Sequence, residues 1–195
     1  MKSPTAALLA LAAILIWSTL ALAGAGLQQV PPFLLLAAAF TTSGLYSLVR
    51  WRAWRAPLKV LAVGVAGIFG YHFLYFRAFA HAPAIEVNLI NYLWPLLIVV
   101  LSPLILPGYR LGWRHVLGAL LGLAGAALIA TGGRFDLQAR YLTGYLLAGA
   151  TALTWALYSL LTKRLPRFST ETVSVFCLLS AALAWGVYFA TGGSP

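Results

Sequence analysis

Two amides, a phenol and a proline recur at helical spacing in one apolar stretch of the sequence: Asn88, Asn91, Tyr92 and Pro95. Positions i, i+3, i+4 and i+7 share one face of a helix, so we expect these side chains to form a single stripe. Polar groups in an apolar environment need hydrogen-bond partners, so the stripe should face other helices or a cavity. Its chemistry would be hydrogen bonding to a small solute, beside a helix that proline weakens. Hydrogen bonding between helices alone is the alternative.

One acidic side chain, Glu86, precedes this stripe in the same apolar stretch. Pro83 suits the first turn of a helix, which places Glu86 near the positive N-terminal end that stabilises a carboxylate. A structural anion, paired with Arg77, is therefore one interpretation. The other is a group that takes up a proton or recognises a substrate ammonium. At about 100° per residue Glu86 lies roughly 200° from Asn88, so the two need not serve one site.

Aromatic side chains at helical spacing complete the set of candidates. In membrane helices such rings more often pack than bind ligands, but several rings beside two amides would suit a flat, mostly apolar solute with polar ends. The substrate-binding candidates are Trp17, Tyr71, Tyr75, Asn88, Asn91, Tyr92, Trp155 and Tyr158, with Glu86 as the candidate proton or ammonium site and Pro95 as the candidate hinge.

Catalysis and cofactor binding lack the sequence patterns that they require. Ser43 could act as a nucleophile with His72 or His81 as its base, but the sequence has no G-x-S-x-G elbow. The histidines have no neighbours at metal-ligand spacing, and no phosphate loop or dinucleotide motif is present. We therefore expect neither an enzyme nor a bound metal or cofactor.

The elements that must position these residues are membrane-spanning helices. Of 195 residues, 62% are hydrophobic and 8% are charged, whereas a soluble domain has about 25% charged residues. A helix that crosses the bilayer needs about 20 mostly apolar residues, and backbone groups in lipid must be paired within the segment. The sequence predicts seven spans: Ala6–Ala23, Phe33–Val49, Val60–Ala80, Val87–Leu106, Val116–Thr131, Tyr145–Leu161 and Val173–Ala190.

The net charge of +10 would allow nucleic-acid binding, but its distribution favours a membrane protein. Basic residues concentrate in alternate connections, which is the positive-inside pattern and predicts a cytoplasmic N-terminus with the lipid bilayer as partner. The basic side carries Lys2, Arg50, Arg52, Arg55, Lys59, Arg110, Arg114, Lys163, Arg164 and Arg167, whereas the other carries Arg77, Arg134 and Arg140.

A weak internal repeat divides the chain. An offset of 138 residues places Trp17 on Trp155. The first and sixth spans would run in opposite directions, so five-helix repeats would have inverted topology, which is typical of secondary transporters. We therefore predict a first repeat at 1–131, an external linker at 132–144 and the start of a second repeat at 145–195. Glycines in the third span (Gly64, Gly67, Gly70) and the fifth (Gly118, Gly122, Gly125) predict close helix packing.

Four motifs together carry a family resemblance: Trp17-Ser18-Thr19, Ala84-Ile85-Glu86-Val87, Asn91-Tyr92-Leu93-Trp94-Pro95 and Trp155-Ala156-x-Tyr158. They resemble the YddG exporters, in the EamA-domain branch of the drug/metabolite transporter superfamily. The run from Asn91 to Pro95 is the specific one, and the resemblance extends over essentially the whole chain.

The resemblance implies a ten-helix fold of two inverted five-helix repeats in the bacterial inner membrane. It also implies export of aromatic amino acids and related compounds by alternating access around a central cavity, with Tyr71, Tyr75, Asn88, Tyr92, Trp94 and Trp155 as cavity residues. Seven spans are fewer than ten, so further C-terminal helices or another copy are expected partners. The alternatives are a permease of the same fold for another metabolite or a drug-like cation, and a bundle that transports nothing.

Overall fold

The structure, a computed structural model, describes residues 7–9, 11–12, 14–15, 30–133 and 138–192. In these ranges every regular element is a helix, and two short 3-10 helices, Trp51–Arg55 and Ala139–Tyr141, lie in connections. The α-helices are α1 (Pro32–Val49), α2 (Leu58–Phe79), α3 (Ala84–Asn91), α4 (Trp94–Ile105), α5 (Trp113–Thr131), α6 (Leu142–Leu161) and α7 (Thr172–Ala190).

The predicted all-helical membrane bundle is confirmed. The second, third, fifth, sixth and seventh predicted spans correspond to α1, α2, α5, α6 and α7, with bounds that differ by three residues or fewer. Within the described ranges, five helical segments are long and apolar enough to cross a bilayer, whereas the apolar part of α5, Trp113–Leu128, is shorter. The described parts of the first predicted span are helical, and Trp17 lies outside the described residues.

The fourth predicted span is interrupted at residues 92–93, between α3 and α4. Pro95 has no N–H group, so the Asn91 carbonyl loses the donor that a continuous helix would supply. At the interruption the Leu93 N–H bonds the Ile90 carbonyl at 3.1 Å. A bond between residues i and i−3 is that of a 3-10 turn, which is tighter than an α-helix. The two halves together, residues 84–105, still have the length of one membrane span.

The main core joins α7 to α1 and α2. Two glycines allow close approaches around it: Gly44 of α1 lies against the backbone of Leu178 on α7, and Gly67 of α2 lies against the ring of Tyr158 on α6. Small residues permit such contacts where lipid supplies no hydrophobic drive between helices. The buried residues of this core are Phe33, Leu36, Ala37, Phe40, Val60, Ile68, Phe176, Ala181 and Ala184.

Contacts between residues distant in sequence join the helices at both ends of the bundle. At the basic end, Arg50 Nε lies 3.5 Å from a Glu171 carboxylate oxygen, so the second and sixth connections meet as the charge pattern predicts. At the opposite end the backbone of Gly144 packs directly against Ala82. The side of the membrane that each end faces remains a prediction.

Candidate functional site

Two phenol–amide hydrogen bonds hold α3 against α2. The Tyr75 hydroxyl donates to Asn88 Oδ1, and one turn away Asn91 Nδ2 donates to the Tyr71 hydroxyl at 3.1 Å. Both pairs arise because the tyrosines are four residues apart on α2 and the asparagines are three apart on α3, so each pair shares a helix face. The amides of the predicted stripe therefore face the bundle rather than lipid.

Aromatic rings extend this arrangement from α2 to α6. The ring centroids of Tyr71 and Tyr75 lie 5.5 Å apart in a stacked geometry, and Trp155 lies 5.0 Å from Tyr71. These distances fall within the 4.5–7 Å range of favourable aromatic pairs. We refer to Tyr71, Tyr75, Asn88, Asn91 and Trp155 as the aromatic–amide cluster.

The cluster contains one acceptor that its own residues leave unsatisfied. Asn91 is 6% exposed, and its Oδ1 atom has no hydrogen-bond partner among the described residues. A buried polar group without a partner costs about 1–3 kcal/mol, so a solute that donates a hydrogen bond at this position would recover that energy. The Asn88 amide differs, because its Nδ2 atom already donates to the Ala84 carbonyl at 2.9 Å.

Tyr92 and Pro95 are the other two residues of the predicted stripe. Tyr92 keeps its helical position relative to Asn88, because its N–H donates to the Asn88 carbonyl at 2.9 Å. Both side chains border an apolar cavity of about 200 Å³ beside α4 and α5. That volume is below the roughly 300–1,000 Å³ typical of ligand pockets, so it suits a small apolar group. The lining residues are Tyr92, Pro95, Leu96, Ala119, Gly122, Leu123 and Ala126.

Glu86 has a partner that the sequence did not indicate. The Tyr145 hydroxyl donates to Glu86 Oε2 at 2.9 Å and accepts a hydrogen bond from the Gln138 N–H at 3.2 Å. This contact ties the start of α3 to the start of α6. This geometry favours the structural interpretation of Glu86.

The remaining candidates, Trp94 and Tyr158, lie outside the aromatic–amide cluster as defined above. Trp94 begins α4 and is partly buried, and the ring contacts of the cluster do not include it within the described part of the chain. Tyr158 lies 5.4 Å from Trp155, while its ring also packs on α2. Phe79, which sequence reasoning missed, lies 4.6 Å from Tyr75. Helical spacing could have identified Phe79, because it follows Tyr75 by one helical turn.

Removing one hydroxyl from the cluster should weaken the fold modestly. Tyr75→Phe leaves Asn88 Oδ1 without its donor, and such bonds in membrane bundles contribute about 0.6 kcal/mol on average, with about 1.7 kcal/mol as the largest values. We expect a loss of stability in this range, measured by thermal unfolding in detergent. Tyr109→Phe is the control, because Tyr109 is exposed in a connection. Equal unfolding temperatures for the two variants would contradict the prediction.

Comparison with known proteins adds a family and close relatives. A sequence model of the EamA-like transporter family matches residues 4–131. Over 193 residues the chain is 46% identical to the "Aromatic amino acid exporter YddG" of Ancylobacter novellus. This alignment covers 94% of this chain and 67% of the relative. The chain is 31% identical to the Escherichia coli protein of the same name, over 98% of this chain and 70% of the relative.

A solved crystal structure gives the same result for the fold. It superposes with a TM-score of 0.86 at 43% sequence identity, covering 98% of this chain and 68% of the other. At this identity and TM-score the helix arrangement described above is shared with an experimentally determined protein.

Proposed function

We propose that this chain, which belongs to the EamA-like transporter family, exports amino acids, with aromatic amino acids preferred. Membership confirms the resemblance stated from the sequence motifs, and a transporter family agrees with the expectation that the chain is not an enzyme. The preference for aromatic substrates is supported by the names of the two relatives described above.

The observation that carries the proposal is the aromatic–amide cluster. An aromatic amino acid has a flat apolar ring and a polar end that carries an ammonium and a carboxylate. The rings of Tyr71 and Trp155, which pack on each other with centroids 5.0 Å apart, would form an apolar wall against which the flat ring lies, and the unsatisfied Asn91 Oδ1 would accept a hydrogen bond from the ammonium. Rings with a few placed polar groups are what a small-molecule site of this type requires.

The interrupted helix supports transport by alternating access. Transporters commonly place the solute beside discontinuous helices, because unwound backbone offers carbonyl groups to it. Here the Asn91 carbonyl, which Pro95 leaves without a helical donor, lies on the residue whose amide joins the cluster. We infer that Pro95 acts as a hinge, and that residues 1–131 and 145–195 belong to two inverted repeats that move relative to each other.

Restoring the missing backbone donor should slow transport. In Pro95→Ala the N–H of residue 95 can bond the Asn91 carbonyl, so the movement at the break would have to disrupt about 1 kcal/mol of added hydrogen bonding. We expect about fivefold slower transport with unchanged or higher thermal stability, measured by flux into liposomes and by unfolding. Pro103→Ala is the matched control, because α4 continues through Pro103. An equal effect of both substitutions would exclude a special role for Pro95.

Glu86 remains a candidate for proton or ammonium recognition. Its hydrogen bond from Tyr145 supports an anchoring role, and a glutamine could keep that bond by accepting at its amide oxygen. Flux that depends on a proton gradient in the native chain and loses this dependence in Glu86→Gln would establish the coupling role instead.

Flux into reconstituted liposomes tests the proposed function. The purified protein should accelerate uptake of radiolabelled phenylalanine or tryptophan, with weaker competition from alanine and from a hydrophobic cation. Acceleration of the cation alone would favour a drug permease of the same fold. No acceleration of any of these solutes would reject transport by this chain and leave the interpretation as a packing bundle. We place it in the bacterial inner membrane with its N-terminus in the cytoplasm, following the basic connections.

A further inference from the structure

The connection between α1 and α2 presents uncompensated positive charge on a fixed backbone. Together with the first turn of α2 it carries Arg50, Arg52, Arg55 and Lys59 and no acidic residue. Glu171 offsets Arg50 at 3.5 Å, whereas no carboxylate of the described residues lies within ion-pair distance of the other three. Arg52, Arg55 and Lys59 are exposed.

Contacts with α1 and α7 hold this connection in place. Ala53 is buried at the centre of the 3-10 helix, and its carbonyl accepts a hydrogen bond from Thr172 Oγ1 at 3.4 Å. Trp54 Nε1 donates to the Ser47 carbonyl at 3.2 Å. A surface that is fixed before a ligand arrives loses little conformational entropy when it binds.

Exposed apolar side chains directly adjoin these cations. Leu58 is 81% exposed and Val49 is 77% exposed, one at each end of the connection. Trp51 is also exposed, and the Arg55 guanidinium lies 4.2 Å from the centroid of its ring. A lipid offers an anionic headgroup to the cations and acyl chains to Val49 and Leu58, whereas a free phosphate or a nucleic acid offers only the anionic group.

We propose that this surface, residues 48–59, binds an anionic phospholipid, with Arg52, Arg55 and Lys59 around the phosphate and the acyl chains along Val49 and Leu58. Guanidinium groups suit phosphate because they donate paired hydrogen bonds in a fixed fork. The bound lipid would also brace the packing of α1 on α7, since the same connection contacts Glu171 and Thr172. Binding of a lipid at this surface does not depend on which solute the protein transports.

Thermal unfolding of the purified protein in neutral detergent tests the site. Added phosphatidylglycerol should raise the unfolding temperature, whereas phosphatidylcholine or inorganic phosphate should not. Each cation near an anionic membrane surface strengthens association about fivefold, so the double variant Arg52→Gln/Arg55→Gln should need about 25-fold more phosphatidylglycerol for the same increase. The control is Arg110→Gln/Arg114→Gln, which removes the same charge from the connection between α4 and α5, and it should respond as the native protein does.

The alternative outcomes are distinct. An equal response to both lipids, or a full response of Arg52→Gln/Arg55→Gln, would overturn the proposal. An equal loss in the two double variants would show diffuse attraction of anionic lipid rather than a site, and a response to inorganic phosphate would identify the free anion as the ligand. If Arg52→Gln/Arg55→Gln does not fold, the native protein alone can test the proposal. The rise in its unfolding temperature with phosphatidylglycerol should disappear in 1 M salt, where charges are screened within about 3 Å.

Discussion

Alanine at position 44 is expected to lower the free energy of unfolding by about 3 kcal/mol, the upper end of the usual cost of overpacking. A Cβ atom on Gly44 would lie 2.6 Å from both Cα and N of Leu178. Because the obstacle is backbone, no change of rotamer relieves it, and α1 and α7 must separate. The better helix propensity of alanine, about 1 kcal/mol over glycine, offsets only part of this cost. Denaturant or thermal unfolding in detergent measures the loss.

Gly186→Ala on α7 is the matched control for this substitution. A Cβ atom on Gly186 meets no described residue within 4 Å, so only the propensity term remains and this variant should be as stable as the native protein or slightly more stable. The two alanines should therefore change stability in opposite directions. A Gly44→Ala protein as stable as Gly186→Ala would show that the α1–α7 contact is looser than described.

The second large effect is expected on substrate selectivity when Trp155 is removed. The Trp155 ring lies 5.0 Å from Tyr71 and, on the proposed function, faces the ring of an aromatic substrate. An aromatic pair contributes about 0.5–1.5 kcal/mol beyond its buried area. Trp155→Ala should therefore reduce phenylalanine flux about tenfold more than alanine flux, measured as the ratio of the two fluxes in the same liposomes.

This ratio separates substrate recognition from damage to the fold. A variant that merely folds poorly would reduce both fluxes in proportion, and that result would assign Trp155 to packing. Trp113→Ala is the control because Trp113 is 70% exposed on α5 and should leave the ratio unchanged. Trp155→Phe keeps an aromatic ring and should retain most of the selectivity.

The spans were predictable because each is an uninterrupted apolar run bounded by charged residues or by prolines and glycines. The predicted Phe33–Val49, for example, became Pro32–Val49. Such runs are read from composition along the chain alone, without knowledge of which helices touch. The amides also faced the bundle as expected, because burying them against lipid would leave their hydrogen bonds unmade.

Features that depend on distant contacts or on helical phase were not predictable. Glu86 and Tyr145 are 59 residues apart, and no local pattern pairs them. The placement of Pro95 on the stripe assumed a constant 100° per residue, whereas the chain forms a tighter 3-10 turn at Leu93.

Glycine spacing shows the same limit. Gly67 packs against a neighbouring helix, whereas a Cβ on Gly118 would have no atom of the described ranges within 4 Å. Both glycines belong to small-residue patterns in apolar spans. Spacing identifies a face that permits close approach, but only the arrangement of the neighbours decides whether that approach occurs.

The break between α3 and α4 divides one membrane span into parts of unequal local stability. Glu86 and Asn91 fix α3 at both ends through Tyr145 and Tyr71, whereas no residue of α4 is fully buried by the described part of the chain. Local opening costs least where few buried contacts must be lost, so we expect α4 to open at a lower free energy than α3. The boundary of a cooperative folding unit thus runs through the middle of a helix pair, beside the cluster, rather than through a connection at the membrane surface.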